Sequence, residues 1–175
     1  QGSDISLNNN IKRLKQKNIK IFLKHKKSNL DDVKTVVYSS AIRKNNPEII
    51  ASKKLGIPLM SRAEMLAELM RYKHSIAVAG SHGKTTTTSL IGSVLESGRK
   101  DPTIINGGII NSLENNNRLG LSKWMVVEAD ESDGTFLQLP HEINIVTNID
   151  LEHLDYYQNI KNLMSSFEKF ATNIP

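Results

Sequence analysis

The clearest chemical signal in this 175-residue sequence is a short glycine-containing segment with the order Gly80-Ser81-His82-Gly83-Lys84-Thr85. Glycines at its first and fourth positions let the backbone turn tightly and point N–H groups inward, where they can bind phosphate oxygens. Lys84 can bridge the β- and γ-phosphates of a nucleotide, and the Thr85 hydroxyl can bind Mg²⁺. The segment therefore predicts a site for a nucleoside triphosphate.

This segment departs from the most common phosphate-binding loop. The pattern G-x-x-x-x-G-K-[ST] requires glycine at the position that Val78 occupies in this chain. The departure argues against a P-loop kinase or GTPase. A chance glycine loop between a strand and a helix is the other interpretation, and the Gly-Lys-Thr sequence at that junction disfavours it.

Two acidic segments follow predicted strands in the same part of the chain. Glu128 comes directly after an apolar run, with Asp130, Glu131 and Asp133 behind it, and His153 follows the next such run. Ligands of open parallel sheets collect at the carboxyl ends of the strands. Mg²⁺ binds one or two carboxylates together with phosphate oxygens, so Glu128 is predicted to be a metal ligand. An acidic helix N-terminus is the alternative for the acidic run. For His153, a metal ligand and a surface histidine both stay open.

The elements that must position these residues are predicted to form a parallel sheet flanked by helices. Nearly unbroken apolar runs that alternate with helical patterns are typical of central parallel strands. The predicted strands of this part lie at 75–79, 123–128 and 143–147, and the predicted helices lie at 84–96 and 160–172. Ser61 and Glu64 form an S-x-x-E capping box, which predicts a further helix that ends near residues 71–73.

The first part of the chain shows a smaller alternation of the same elements. Ile11 and Leu14 indicate a short helix, and further apolar patterns predict strands at 19–23 and 33–38 and a helix at 47–55. We place a domain boundary beside the capping box, which gives predicted domains at 1–60 and 61–175. The predicted fold class is α/β.

The net charge of +5 raises the question of a nucleic-acid partner. Most of the excess lies in residues 12–27, a stretch with no aromatic stacking platform and no nucleic-acid motif. A solvated helix face is favoured over steering of an anionic substrate, and no nucleic-acid partner is expected. No apolar run reaches the roughly 18 residues of a membrane span, and no leader pattern is present, so we expect a cytoplasmic protein without a membrane partner.

Residues 79–87 resemble the A-G-T-H-G-K-T-T loop of the Mur ligase family, with Ser81 in place of threonine. The acidic run that begins at Glu128 and the run over 147–153 are similar to the family's segments in order and spacing. Residues 62–70 and 39–42 are similar to the branch of the family that joins L-alanine to UDP-N-acetylmuramate.

The resemblance implies a Rossmann-like domain that binds a UDP-linked substrate, followed by a P-loop-type parallel-sheet ATPase domain, with both domains incomplete. It implies an ATP-dependent ligase of peptidoglycan precursor synthesis. ATP would phosphorylate the carboxylate of UDP-N-acetylmuramate, and the amine of L-alanine would displace phosphate from the acyl phosphate. ATP and Mg²⁺ are the implied cofactors.

The resemblance also implies roles for individual residues. Nucleotide binding falls on Gly80, Ser81, His82, Gly83, Lys84, Thr85 and Thr86. Thr85 and Glu128 would hold one Mg²⁺ and His153 would help to hold a second, with Lys84, Glu128 and His153 as the catalytic residues. Ser39 and Ser40 would lie near the uridine diphosphate, and Asp4 near the uridine.

The chain begins after the family's first strand and its glycine-rich turn, and it stops before the family's third domain, so we expect an internal fragment. Two alternatives stay open: a ligase of the same family that recycles murein tripeptide, and a nucleotide-binding module without turnover. Folylpolyglutamate synthase is disfavoured because that family lacks a UDP-binding domain of this kind.

Overall fold

The computed structural model describes residues 1–107 and 117–174, which form two compact units. The first unit is Gln1–Arg62 and the second is Ala63–Pro175. Both contain parallel strands and helices, so the predicted α/β class is confirmed.

The first unit contains two small parallel sheets. Its elements are β1 (Gly2–Ser3), α1 (Asn9–Gln16), β2 (Ile21–Phe22), a 3-10 turn (Lys27–Leu30), β3 (Val36–Tyr38), α2 (Pro47–Leu55) and β4 (Leu59–Ser61). Strand β1 pairs with β2, and β3 pairs with β4. The predicted strands at 19–23 and 33–38 are therefore shorter than expected, and β4 was not predicted.

Helix α2 shows why its bounds could be predicted to the residue. The Asn46 side chain accepts a hydrogen bond from the N–H of Glu48, and Pro47 occupies the first turn, where its missing N–H is not needed. Gly56 ends the helix in the left-handed region at φ 67°. These are local signals, and each of them is visible in the sequence.

The second unit is built on one four-stranded parallel sheet. Its elements are α3 (Arg62–Met70), β5 (His74–Ala79), α4 (Lys84–Ser97), β6 (Thr103–Ile105), β7 (Trp124–Glu128), a 3-10 turn (Thr135–Gln138), β8 (Ile143–Val146), α5 (Leu154–Tyr157) and α6 (Ile160–Thr172). The strand order is β6-β7-β5-β8, and every neighbouring pair is parallel. The helices predicted at 84–96 and 160–172 are confirmed, whereas β6 and α5 were not predicted.

The two faces of this sheet carry separate apolar clusters. On one face Phe136, Phe167 and Phe170 pack with residues of β5 and β7 to form the larger cluster. On the other face Val78 and Val126 pack with side chains of α4. Both central strands are covered on both sides, which explains their unbroken apolar sequences.

Val78 explains the departure from the common glycine loop. It is fully buried and pairs with Glu128 on one side and Ile145 on the other. The position is thus a central strand residue, and the turn begins only at Gly80, after Ala79 has ended the strand. In the described part of the chain, no helix is both long enough and apolar enough to cross a membrane.

Candidate phosphate-binding site

The loop between β5 and α4 has a conformation that requires glycine at two positions. Gly80 has φ 130° and Gly83 has φ 80°, and Gly83 is the N-cap of α4. A Cβ atom at residue 80 would overlap the Thr147 hydroxyl oxygen and would lie 2.9 Å from the carbonyl oxygen of Asn148. Residue 80 is therefore restricted to glycine both by its backbone conformation and by the atoms that surround it.

Residues that follow β8 hold this loop in place. The N–H of Ser81 donates to the carbonyl of Asn148 at 3.1 Å, and the N–H of His82 donates to the Asn148 side-chain oxygen at 2.9 Å. The Thr147 hydroxyl donates to the carbonyl of His82 at 2.6 Å, and the N–H of Asp150 donates to the Ser81 hydroxyl at 2.8 Å. The segment over 147–150 therefore sets the shape of the loop.

The Lys84 ammonium group is folded back into the loop. Its Nζ donates to the carbonyl of Gly80 at 2.5 Å, to the carbonyl of Ser81 at 3.2 Å and to Glu131 Oε1 at 2.9 Å. The side chain of Lys84 is 15% exposed, whereas that of Glu131 is 1% exposed. A positive charge thus lies at the N-terminus of α4, where an anion would also meet free backbone N–H groups.

Thr85 and Glu128, which the resemblance assigns to one metal site, lie within hydrogen-bond distance of each other. The Thr85 hydroxyl donates to Glu128 Oε2 at 2.9 Å, and the N–H of Gly107 donates to the same oxygen at 3.1 Å. Glu128 is the last residue of β7, directly after its apolar run, as in the predicted strand at 123–128. A hydroxyl and a carboxylate are oxygen donors of the kind that Mg²⁺ takes from proteins.

A cavity of about 380 Å³ opens on the loop. It is lined by Ser81, His82, Gly83, Lys84, Thr85, Thr86 and Glu128. Six of these residues belong to the predicted nucleotide set and the seventh is the predicted metal ligand. Of the predicted set, Gly80 does not line this cavity.

His153 lies beside a different carboxylate from the one that was predicted to be the main metal ligand. Its Nε2 is 3.7 Å from Glu131 Oε1, and its backbone is in the left-handed region at φ 55°. Ligand atoms of Glu131, Glu152 and His153 all lie within 4.8 Å of one another. From the sequence, Glu131 was named only as one member of the acidic run, and Glu152 was given no role. The local sequence does not indicate which carboxylate will be buried.

Tyr157 connects the backbone of Glu131 to the core. Its hydroxyl donates to the carbonyl of Glu131 at 2.5 Å, and Tyr157 is only 4% exposed. Burial, together with the nearby Tyr156 and Glu131, raises the pKa of Tyr157 to about 12. The phenol therefore stays protonated and remains a hydrogen-bond donor at neutral pH.

The first unit has a cavity of its own, of about 550 Å³. Two of the predicted substrate residues, Asp4 and Ser39, line it, whereas Ser40 is exposed and does not. Sequence reasoning missed a polar network on the same cavity, which consists of Ser3, His25, Asn29 and Glu48.

Glu48 is the centre of that network. It accepts hydrogen bonds from the Ser3 hydroxyl and from the Asn29 amide, both at 2.6 Å. His25 Nδ1 lies 2.9 Å from the Ser3 oxygen. The position of His25 just after the predicted strand at 19–23 was the signal that could have identified it, because chemistry collects at such strand ends.

Sequence comparison decides the family. A profile described as the Mur ligase family, catalytic domain, matches residues 1–74, and a second profile, the Mur ligase middle domain, matches residues 78–175. The chain belongs to the Mur ligase family. The second match includes the loop, the acidic run and His153, so all parts of the candidate site in this Mur ligase chain lie within it.

The relatives of this Mur ligase chain include UDP-N-acetylmuramate–L-alanine ligases. Those of Brucella anthropi and Rhizobium etli are each 55% identical to it over all 175 residues. The chain spans 37% of the length of these curated relatives.

Solved structures give the same fold. A UDP-N-acetylmuramate–alanine ligase from Thermotoga maritima matches with a TM-score of 0.85 at 34% identity, over 99% of this chain and 41% of that one. A UDP-N-acetylmuramate:L-alanyl-γ-D-glutamyl-meso-diaminopimelate ligase from Neisseria meningitides matches with a TM-score of 0.80 at 24% identity, over 99% of this chain and 60% of that one. At that identity the second match supports the fold alone.

Proposed function

We propose that this chain is part of an ATP-dependent ligase that joins L-alanine to UDP-N-acetylmuramate in peptidoglycan precursor synthesis. The terminal phosphoryl group of ATP is transferred to a carboxylate oxygen of UDP-N-acetylmuramate, which yields ADP and an acyl phosphate. The amine of L-alanine then attacks the acyl carbon. The C–N bond of the amide forms, inorganic phosphate leaves and the nitrogen loses a proton.

The observation that carries this proposal is the arrangement of Lys84, Thr85 and Glu128 around one cavity. A cation at a helix N-terminus and a hydroxyl–carboxylate pair lie on the same 380 Å³ space. Phosphoryl transfer depends mainly on positioning and on neutralising negative charge, and these groups serve both purposes. The 55% identity to alanine-adding ligases supports the choice of substrates.

Each residue has a specific task in this proposal. The N–H groups at the start of α4 and the Lys84 ammonium bind the phosphates of ATP. Thr85 and Glu128 hold one Mg²⁺, and His153 helps to hold a second. Bound Mg²⁺ supplies positive charge that offsets the charge of the transferring phosphoryl group.

The residues present fit a divalent cation. Thr85 and Glu128 already share a hydrogen bond at 2.9 Å, so both oxygens face the same point. Glu131 Oε2 is buried and has no hydrogen-bond partner among the described residues, and the other oxygen, Oε1, lies 3.7 Å from His153 Nε2. Hard oxygen donors with one imidazole are an acceptable set for Mg²⁺ or Mn²⁺.

The cavity of the first unit is the proposed site of the uridine diphosphate group. Its volume of about 550 Å³ is suited to a nucleotide-sized ligand. Ser39 and Asp4 line it and are the proposed contacts, and Ser40 follows Ser39 in sequence. The expected location of the protein is the cytoplasm, where nucleotide-linked precursors and ATP are available.

Two other functions are tested by the same experiment. One is a ligase of the same family that recycles murein tripeptide, because that branch resembles this chain in the loop over 79–87 and in the acidic run that begins at Glu128. The other is a nucleotide-binding module without turnover, because the chain spans 37% of the length of its curated relatives.

Release of inorganic phosphate from ATP distinguishes the three functions. A protein that contains this chain and has the length of the curated relatives is mixed with Mg²⁺, ATP and UDP-N-acetylmuramate, and either L-alanine or the tripeptide is added. Release with L-alanine alone is the expected result. Release with the tripeptide supports the recycling ligase, and binding of ATP without release in either mixture supports the non-catalytic module.

A further inference from the structure

Every hydrogen of the Lys84 ammonium group is already in use. An ammonium group donates three hydrogen bonds, and Lys84 makes them to the carbonyls of Gly80 and Ser81 and to Glu131. A phosphate oxygen that binds Lys84 must displace one of these three acceptors. Glu131 is the only charged one among them, so it competes most strongly with phosphate.

The Glu131 carboxylate cannot move with the lysine and cannot reach the solvent. It is fully buried, and its Oε2 has no hydrogen-bond partner among the described residues. A buried carboxylate is stable only when a positive charge lies close to it. Lys84 supplies that charge at 2.9 Å, and His153, at 3.7 Å, supplies it only when protonated.

We propose that Glu131 is a positioning residue that holds the Lys84 ammonium on the loop and makes phosphate binding depend on a divalent cation. This inference rests on the proposed phosphate site. When Lys84 also binds a phosphate, its positive charge is shared, and Glu131 faces an additional negative charge. A nucleotide without metal therefore binds against the charge of Glu131.

A divalent cation offsets the negative charge of Glu131 that opposes nucleotide binding. The ligand atoms of Glu131, Glu152 and His153 lie within 4.8 Å of one another, so a cation among them replaces the charge that Lys84 withdraws. The lysine is then free to bind phosphate. Glu131 thereby couples the binding of cation and nucleotide, and by linkage each tightens the binding of the other.

The test is isothermal titration of the 175-residue chain with a non-hydrolysable ATP analogue, in EDTA and in Mg²⁺. In EDTA, Glu131→Gln is expected to bind the analogue about tenfold more tightly than the native chain, because a full charge close to the phosphates is gone. In Mg²⁺ the difference is expected to shrink to less than about threefold, because the cation already offsets Glu131 in the native chain.

Two matched variants separate charge from structure. Glu131→Asp keeps the carboxylate and is expected to bind the analogue like the native chain under both conditions. Glu142→Gln removes an exposed carboxylate at the start of β8, where it pairs with His74, and is expected to change nothing. Circular dichroism melts establish that each variant is folded.

A second measurement needs no variant of Glu131. In the native chain with ¹⁵N-labelled lysine, the Lys84 ammonium signal is expected to move on addition of the analogue with Mg²⁺ and to move less with the same concentration of analogue in EDTA. Lys84→Met assigns the signal. An equal movement in both conditions overturns the inference.

The outcomes distinguish this inference from the proposed function. Binding in EDTA that is equal or weaker in Glu131→Gln overturns the role of Glu131 and leaves the phosphate site standing. Failure of every folded variant to bind the analogue under both conditions contradicts the phosphate site itself, and the role of Glu131 with it.

Discussion

The Thr85 hydroxyl donates a hydrogen bond to Glu128 Oε2 at 2.9 Å, although 43 positions separate the two residues in sequence. Thr85 lies in the first turn of α4 and Glu128 at the carboxyl end of β7. The parallel pairing of β5 with β7 brings them together, because it places the strand end that leads into the loop beside the strand end that carries the carboxylate. The fold thus brings the two oxygen donors together.

Glu128→Gln tests the metal role of this pair. The amide keeps an oxygen for the Thr85 hydroxyl but removes the charge that attracts Mg²⁺. We expect affinity for an ATP analogue in Mg²⁺ to fall about tenfold to a hundredfold, in line with the loss of an interaction with a charged group. In EDTA the affinity should not fall. A loss of equal size in both conditions would show that Glu128 acts on the loop and not through a cation.

Gly80→Ala tests the shape of the loop. The added Cβ would overlap the Thr147 hydroxyl, and alanine disfavours the φ of 130°. We expect a loss of about 1–3 kcal/mol in the free energy of unfolding, measured by urea denaturation, and a loss of analogue binding. Gly98→Ala is the control, since its Cβ would meet other atoms only at 3.5 Å and beyond. Equal stability of the two variants would contradict the close packing of the loop on residue 147.

Tyr157→Phe tests the hydrogen bond that holds the backbone of Glu131. The variant removes the hydroxyl that donates to the Glu131 carbonyl, and we expect it to destabilise the chain by about 1 kcal/mol at neutral pH. The native pKa is raised from 10.0 to about 12, so the unfolded chain loses the phenol proton first as the pH rises. The contribution of Tyr157 to stability is therefore fully present below pH 10 and is lost as the pH rises to about 12.

Denaturation of both chains between pH 8 and pH 12 measures this effect. The difference in the free energy of unfolding between the native chain and Tyr157→Phe should shrink as the pH rises above about 10. The comparison cancels the lysines and the other tyrosines, which titrate in both chains. A difference that grows with pH would contradict the buried, protonated phenol.

Much of the second unit could be predicted because its signals are local. The apolar runs of β5, β7 and β8 and the glycine loop between Ala79 and Lys84 are continuous in sequence. Strand β6 has three residues and, within residues 1–107 and 117–174, pairs with one strand, β7, so its sequence carries little periodicity. Strands this short are defined by the neighbour they pair with and not by their own pattern.

The candidate site could be predicted in part for the same reason. The loop that leads to Lys84 and Thr85 begins at the end of one predicted strand, and Glu128 ends another. The structure places all three residues on one cavity. The burial of Glu131 and the contacts of Glu48 with Ser3 and Asn29 depend on residues 19 to 47 positions away. No local pattern encodes such contacts, because they arise only when the sheet has assembled.

Binding of an ATP analogue in Mg²⁺ to the native chain and to Lys84→Met is the most direct test of the central claim. Methionine keeps an unbranched apolar side chain close to the lysine stem in length and removes the ammonium group. Circular dichroism melts show whether the variant is folded, since it leaves Glu131 without its ion-pair partner. We predict that the native chain binds and that the folded variant binds at least about tenfold more weakly, because a charge-assisted contact to phosphate is lost. Equal binding by both chains, or no binding by the folded native chain, would contradict the account.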